Sequence, residues 1–340
     1  MKALVKTKIG KNNIELRELD EPNINDNMVR IKVLYAGICG TDLSIKKGKQ
    51  WCNPPVVLGH EFSGEVVEIG DKVTKVKIGD KVVSETAQYV CGKCEKCMSG
   101  KYLMCKDRLS IGYGTDGAMA DYIKVREEIV HKLPDGIKLD EAALAEPSAV
   151  AYHAVFDHVQ IKPKDKIAVF GPGTIGILVS QLVNLLGAEI ILCGLDSDKN
   201  RLELAEDIGI KTLNLEKESF EKHVERITKK EGLDHIFDCS GSQVAINQGL
   251  NSLRNIGTLI QVGLTKNKLD ISYNLIPLKE LSIKGSFGHT YENWEGVIDL
   301  INRKKINTKK IISKKYKLKD WEIAFEEAEN PQNLKVLFEL

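Results

Sequence analysis

No apolar run in the 340 residues approaches the length of a membrane-spanning helix, and the opening MKALVKTKIG lacks the apolar stretch of a signal peptide. The expected location is therefore the cytoplasm, with no membrane partner. An excess of charge of one sign is missing as well: 49 Lys and Arg against 48 Asp and Glu leave a net charge of +1. Without a global field nothing steers the chain toward nucleic acid or an anionic surface, and neither is an expected partner. Internal repeats are also lacking. IGDKVTKVKIGDKVV looks like a doublet, but nothing continues it, and a hairpin with two similar turns is the better reading.

What remains is an ordinary globular balance, 42% apolar and 29% charged, with length enough for two domains. Up to about residue 145 the chain reads as β-rich: MVRIKVLYAGI, FSGEVVEIG, GDKVVSE and AMADYIKV carry β-branched residues, partial alternation and Gly–Asp turns. LPDGIKLDEAALAEPSAVAYHAV reads as helical, and after it the grammar changes. KIAVFG, EIILCG, IKTLNL, HIFDCSG, TLIQVG and LSIKGSF are short apolar runs, and IGILVSQLVNLLG and NRLELAEDIG set helices between the first three. Alternating strand and helix predicts an α/β fold with a doubly wound parallel sheet. The expected division is 1–147 with 286–340 as one domain and 148–285 as the other.

Eight cysteines are present, four of them in VCGKCEKCMSGKYLMC. Cys91, Cys94, Cys97 and Cys105, spaced C-x2-C-x2-C-x7-C, read as a tetrahedral zinc site. A reducing compartment argues against a disulfide knot, and the near-zero net charge argues against a nucleic-acid-binding ribbon. An iron–sulfur cluster stays open on ligand type, with no partner electron-transfer motif beside it. Cys193 and Cys239, at the ends of apolar strand-like runs, read as buried structural thiols.

VFGPGTIG places Gly171, Gly173 and Gly176 in G-x-G-x-x-G, directly after an apolar strand and at the head of an apolar-periodic helix whose first residues are Thr174 and Ile175. Gly171 permits the tight turn, Gly173 lets backbone N–H groups approach a pyrophosphate, and Gly176 lets helix and strand pack closely. Asp196, after the next strand, can accept from a ribose 2′-OH and repel a 2′-phosphate, which favours NAD over NADP. Asp198 competes for that role, and Asp196 could instead cap the following helix, in which Arg201 is grouped with the cofactor residues.

A sparser set completes the inventory: Cys39 in GICGTDLS, His60 and Glu61 in LGHEFSG, and Glu146 in AEPSAVAYH. Taken singly these are more often a core thiol, a structural histidine and surface carboxylates. Together they offer a thiolate, an imidazole and two carboxylates, a ligand set for zinc with an exchangeable position.

AGICGTD, LGHEFSGEVVEIG, GDKV, the four-cysteine run, EPSAV, GPGTIG and KGSFG occur in this order over nearly the whole chain. The series resembles the zinc-dependent medium-chain dehydrogenase/reductase family, near its sorbitol/polyol and threonine dehydrogenase branches. The resemblance implies a GroES-like catalytic domain interrupted by a Rossmann domain, NAD as cofactor with NADP still possible, and a homodimer or homotetramer. It implies two Zn2+ per chain. The catalytic one would lie at Cys39, His60 and Glu61, with Glu146 as exchangeable or near-shell fourth ligand, and the structural one at the four clustered cysteines. Thr41 matches the hydroxyl that relays a proton, while Ser44 stands where relatives with a longer relay carry histidine.

A zinc ion lowers the pKa of bound water from about 15.7 to about 7, on the order of 12 kcal/mol, whereas a positioned side-chain base supplies roughly 3–5 kcal/mol. The metal is therefore expected to carry the activation of an alcohol. The expected reaction is oxidation of a secondary alcohol, a polyol or sugar alcohol, to a ketone. Threonine, a sugar-alcohol phosphate and a non-catalytic zinc-binding module are the alternatives. Gly288, His289 and Thr290 stand where polyol enzymes present an arginine. His289 reads as either a substrate contact or a solvated loop residue, and Lys46, Lys47 and Lys49 as either a phosphate site or plain solvated surface.

Overall fold

The computed structural model describes residues 1–265 and 268–340. One compact unit comprises Met1–Ala149, His289–Lys304 and Thr308–Leu340, and the other Val150–Gly288 with Lys305–Asn307. The boundaries expected at 147/148 and 285/286 fall a few residues short of these, and Lys305–Asn307 leaves the tail for the second unit. Composition marks where an element starts, whereas contacts mark where its neighbours change. The first boundary lies inside the helix Ala145–Phe156, where composition is silent.

The first unit is built on the strand Met28–Gly37. Val29, Ile31 and Val33 face inward while Arg30 and Lys32 face out, the alternation that a half-buried strand requires. It pairs antiparallel with Glu61–Ile69, Tyr122–Arg126 and Lys335–Glu339. The doublet becomes a hairpin connection: Glu61–Ile69 pairs antiparallel with Lys81–Ser84, Ser63 opposite Val83. The tail contributes Lys335–Glu339, with Leu337 opposite Gly37, and on its far side the parallel strand Ile312–Tyr316. Phe325 and Phe338 from the tail share one core cluster with Val29, Ile31, Val33 and Phe62. Burying each such side chain stabilises by about 1.5–3 kcal/mol, so the tail is part of this core rather than an appendage.

The second unit is a six-stranded, wholly parallel sheet. Its strand order is Thr212–Asn214, Glu189–Gly194, Lys166–Phe170, Leu233–Asp238, Leu253–Gln261, Ser282–Gly285. The order reverses beside Lys166–Phe170, the switch point of a doubly wound fold, where dinucleotides bind at the strand ends. Inner strands such as Lys166–Phe170 are continuous apolar runs because helices cover both faces. Ser282–Gly285 closes the sheet on one side with all four residues exposed. Among the described residues no helix is long and apolar enough to cross a membrane.

Candidate active site

The strand Met28–Gly37 leads into Cys39, which sits at the head of the helix Gly40–Lys46, and its neighbour Glu61–Ile69 begins directly after His60. Gly37 pairs with Glu61. That register gathers the Cys39 Sγ, a His60 ring nitrogen and a Glu61 carboxylate oxygen within 4.8 Å of one another. His60 and Glu61 are buried and Cys39 is partly exposed, so Cys39 is the member of the cluster nearest solvent.

Three residues that spacing rules do not flag complete the cluster. The Glu61 carboxylate lies over Gly37, where an added Cβ would stand 2.2 Å from Oε2, so only glycine fits. Lys335 Nζ, itself buried, donates to Glu61 Oε1 and Oε2 at 2.7 and 2.6 Å and to the Ile38 carbonyl at 3.2 Å. Asp42, fully buried, accepts the Cys39 N–H on Oδ2 at 2.9 Å and faces His60 Nδ1 with Oδ1 at 4.0 Å. A carboxylate beside one ring nitrogen is the usual support for a histidine that ligates metal through the other. The signal for Asp42 was in the sequence: C-x-x-D sets a carboxylate at the third helical position, where it reaches back to the cap. Lys335 and Gly37 had no such local signature.

The charges show what the cluster can hold. Burial pushes His60 down, but the Cys39 and Asp42 charges outweigh it and hold the imidazole well above its ordinary value. Burial pushes Asp42 up. Glu146 is raised to about 7, chiefly by burial, with Glu61 adding to it and His60 and Lys335 opposing. Burial lowers Lys335, and Glu61 and Cys39 more than reverse it. One thiol and three carboxyls share the cluster with one imidazole and one lysine, and the donor set fits a divalent cation of zinc's borderline softness. Glu146 shares this field but is not among the three donors brought within 4.8 Å. Thr41 is partly buried on the same short helix as Asp42, with Ser44 one turn on.

Lys46 and Lys47 are surface side chains, each 3.6 Å from Glu329. Of the two readings of His289, the solvated loop residue needs correction: it is 3% exposed, packs edge-on against Trp294, and sets Nδ1 3.7 Å from the buried Glu85. The reason is local. Thr290 and Asn293 form a capping box that starts the helix Tyr291–Asn302, and this helix carries His289 inward with Trp294.

The four clustered cysteines also converge, their sulfurs within 4.8 Å of one another. The Cys94–Cys97 and Cys91–Cys97 separations of 3.5 and 3.9 Å are far beyond a disulfide bond. Backbone N–H groups of Lys93 and Cys94 lower the Cys91 thiol to about 6, which favours the thiolate that a metal needs. Tyr102, within the same segment, donates to Glu85 at 2.6 Å and fastens the lobe to the unit's interior.

In the second unit the three glycines have separate physical reasons. Gly171 has φ +92°, and a Cβ there would press on Ser240. A Cβ at Gly176 would lie 2.0 Å from the Gly171 carbonyl oxygen. A Cβ at Gly173 meets nothing within 4 Å, so open space lies over the head of the helix Thr174–Leu185, whose first turn holds Thr174 and Ile175. Free N–H groups and dipole at such a helix head fit a pyrophosphate. Asp198, not Asp196, stands at the N-cap of the helix Lys199–Asp207, without a side-chain cap bond to it; its carboxylate accepts the Leu195 N–H at 3.1 Å and pairs with Arg201 at 3.5 Å. The side chain of Asp196 stays 59% exposed.

Comparison with known proteins agrees with this arrangement. The alcohol dehydrogenase GroES-like domain model matches residues 25–135 and the zinc-binding dehydrogenase model residues 174–303. The D-arabitol-phosphate dehydrogenase of Enterococcus avium is 40% identical over 343 residues, spanning 100% of this chain and 97% of that protein. The sorbitol dehydrogenase of Halalkalibacterium halodurans is 38% identical over 339 residues, 99% and 98% of the two chains. The crystal structure of 2R,3R-butanediol dehydrogenase from Bacillus subtilis superposes with a TM-score of 0.91 at 30% identity, over 100% of this chain and 99% of that one. Fold and site together define an oxidoreductase of alcohols that uses zinc and a nicotinamide dinucleotide. The chain belongs to the zinc-dependent medium-chain dehydrogenase/reductase family.

Because the Glu61 carboxylate occupies the space over Gly37, Gly37→Ala is expected to displace it from its place beside Cys39 and His60. Turnover should fall by about 10- to 100-fold, the range for disturbed metal support, with a parallel loss of one zinc per chain. Metal analysis beside steady-state kinetics checks this; unchanged zinc content with unchanged turnover would refute it.

Proposed function

We propose that the chain oxidises a secondary alcohol, a polyol or sugar alcohol, to the ketone, with two electrons and one proton passing as hydride to NAD and the hydroxyl proton released to solvent. The convergence of Cys39, His60 and Glu61 on one point, with Cys39 partly exposed, carries this reading. Zinc held by these donors supplies a Lewis acid that lowers the pKa of a substrate hydroxyl, and bound NAD supplies the hydride acceptor. The chain's own residues do the rest. Asp42 sets a carboxylate 4.0 Å from His60 Nδ1, and Lys335 holds Glu61 in place while balancing its charge. Thr41 passes the departing proton through a hydroxyl that can both accept and donate, and Glu146 stands near as an exchangeable donor. The glycine turn holds the pyrophosphate, and Asp196 accepts from the adenosine ribose, which favours NAD.

Cys91, Cys94, Cys97 and Cys105 would hold a second zinc, and four thiolates would leave no position for substrate, so its role would be structural. The arabitol-phosphate relative marks the phosphorylated alternative. Free thiols suit a reducing cytoplasm. The exposed edge strand Ser282–Gly285, with Ile283 42% exposed, suits pairing with a second copy in a homodimer or in a tetramer built of such dimers.

Three outcomes follow. In a panel of polyols, their phosphates, simple secondary alcohols and threonine, followed by nicotinamide absorbance, polyols with NAD should give the highest kcat/KM. Turnover of threonine alone would overturn the substrate class. Cys39→Ser should abolish turnover yet leave a folded, NADH-binding protein, whereas Cys97→Ser should lower melting temperature and zinc content together. Turnover retained by a Cys39→Ser protein that has lost one zinc would sink the mechanism. Ile283→Lys should shift the mass measured by light scattering toward the monomer, and an unchanged mass would remove the edge from the assembly.

A further inference from the structure

We propose that Lys217 is a second determinant of cofactor choice, the cation that meets a 2′-phosphate at the adenosine ribose. The proposal rests on the reading of Asp196 as the ribose acceptor and deepens it. The loop after the strand Thr212–Asn214 folds back onto Asp196. Asn214 Nδ2 donates to Asp196 Oδ1 at 2.7 Å, and Lys217 Nζ lies 3.4 Å from the same oxygen. The Asp196 N–H donates to Glu216 at 2.5 Å, and the Glu216 N–H to Asn214 Oδ1 at 3.0 Å, so the loop and the aspartate form one hydrogen-bonded corner. Both side-chain contacts fall on Oδ1, leaving Oδ2 to accept a ribose hydroxyl. Asn214 and Lys217 together also hold the carboxyl below its usual range, so it stays an acceptor.

Of the other cations of the corner, Arg201, only 19% exposed, is drawn to Asp198 at 3.5 Å, and Lys199 lies 3.7 Å from Glu203 while its charge also acts on Asp196; Lys217 is the one that reaches the Asp196 carboxylate, at 3.4 Å. The carboxylate facing Lys217 is Asp196 itself, and the two side chains are 67% and 59% exposed. An ion pair so exposed contributes little to folding, so stability does not account for it. Its consequence is electrostatic and local. A 2′-phosphate carries about −1.5 to −2 charges and three strong acceptors. Asp196 repels it, and the Lys217 ammonium, a compact donor within reach of the same point, offsets part of that repulsion. Preference for NAD is then the difference between two opposed side chains rather than the effect of one.

The test measures binding of NADH, NADPH and adenosine 2′,5′-bisphosphate by nicotinamide fluorescence and calorimetry, in the wild type, Lys217→Ser, Asp196→Ser and the double variant. Lys217→Ser should weaken NADPH and the bisphosphate by about tenfold while NADH changes by about twofold or less, the size of a lost charge-assisted contact. Asp196→Ser should strengthen NADPH by about tenfold or more, and the double variant should lose that gain. Unchanged NADPH binding on removing Lys217, in both backgrounds, overturns the proposal. Tighter binding of NADPH than NADH by the wild type would instead overturn the reading of Asp196, so the two failures are told apart. Both side chains are exposed, and melting curves confirm that each variant is folded before binding is compared.

Discussion

The contact between Glu61 and Lys335 is the constraint from which the arrangement of the first unit follows. Both side chains are almost wholly removed from water, 274 residues apart in sequence, and joined by two hydrogen bonds. Desolvating two ions costs several kcal/mol each, and the pair is tolerable only because the contact is bidentate and a third donor direction of the ammonium is satisfied by Ile38. Removing one partner would leave a buried, uncompensated charge at a cost of about 3–5 kcal/mol. The last strand therefore cannot shift by one residue along Met28–Gly37 without turning Lys335 away from Glu61. Core packing of Phe325 and Phe338 and placement of the acidic cluster are thus enforced by the same register.

The two cysteine-containing clusters solve the problem of holding a metal in opposite ways. The Cys91–Cys105 lobe draws its four ligands from fifteen consecutive residues, sits near the surface, and depends on backbone amides and one tyrosine to order it. Such a segment has few apolar side chains with which to hold a shape, so bound metal would count toward its folding. The Cys39 cluster draws its donors from the ends of strands and a helix packed into the core. Four thiolates would close a tetrahedral ion's coordination, whereas three mixed donors would leave it a position to share.

What was legible in the sequence divides along the same line. Doubly wound strands, the glycine turn and the four-cysteine run are local patterns, because turn geometry, metal-ligand spacing and helix capping act over a few residues. Gly37 and Lys335 were invisible for the opposite reason. Each matters only through Glu61, and that meeting depends on strand register between distant segments. His289 shows the reverse error: a polar-looking loop sequence concealed a capping box, and the helix that it starts draws the residue into the interior. Asp198, a rival to Asp196 by spacing alone, differs from it in accepting the Leu195 N–H, a local contact that spacing does not reveal.

The same logic explains why cofactor and metal chemistry can be read further than substrate identity. A divalent ion demands particular donor atoms within a short radius, and a pyrophosphate demands close backbone approach, so each writes a fixed constraint on residue type. A polyol makes no comparable demand. Its hydroxyls are met by whichever donors and acceptors border the cluster. Gly37, Asp42 and Lys335 act on the ligand set, Lys335 while also donating to the Ile38 carbonyl, and so answer to the metal, whereas a substrate hydroxyl can be met by many kinds of side chain.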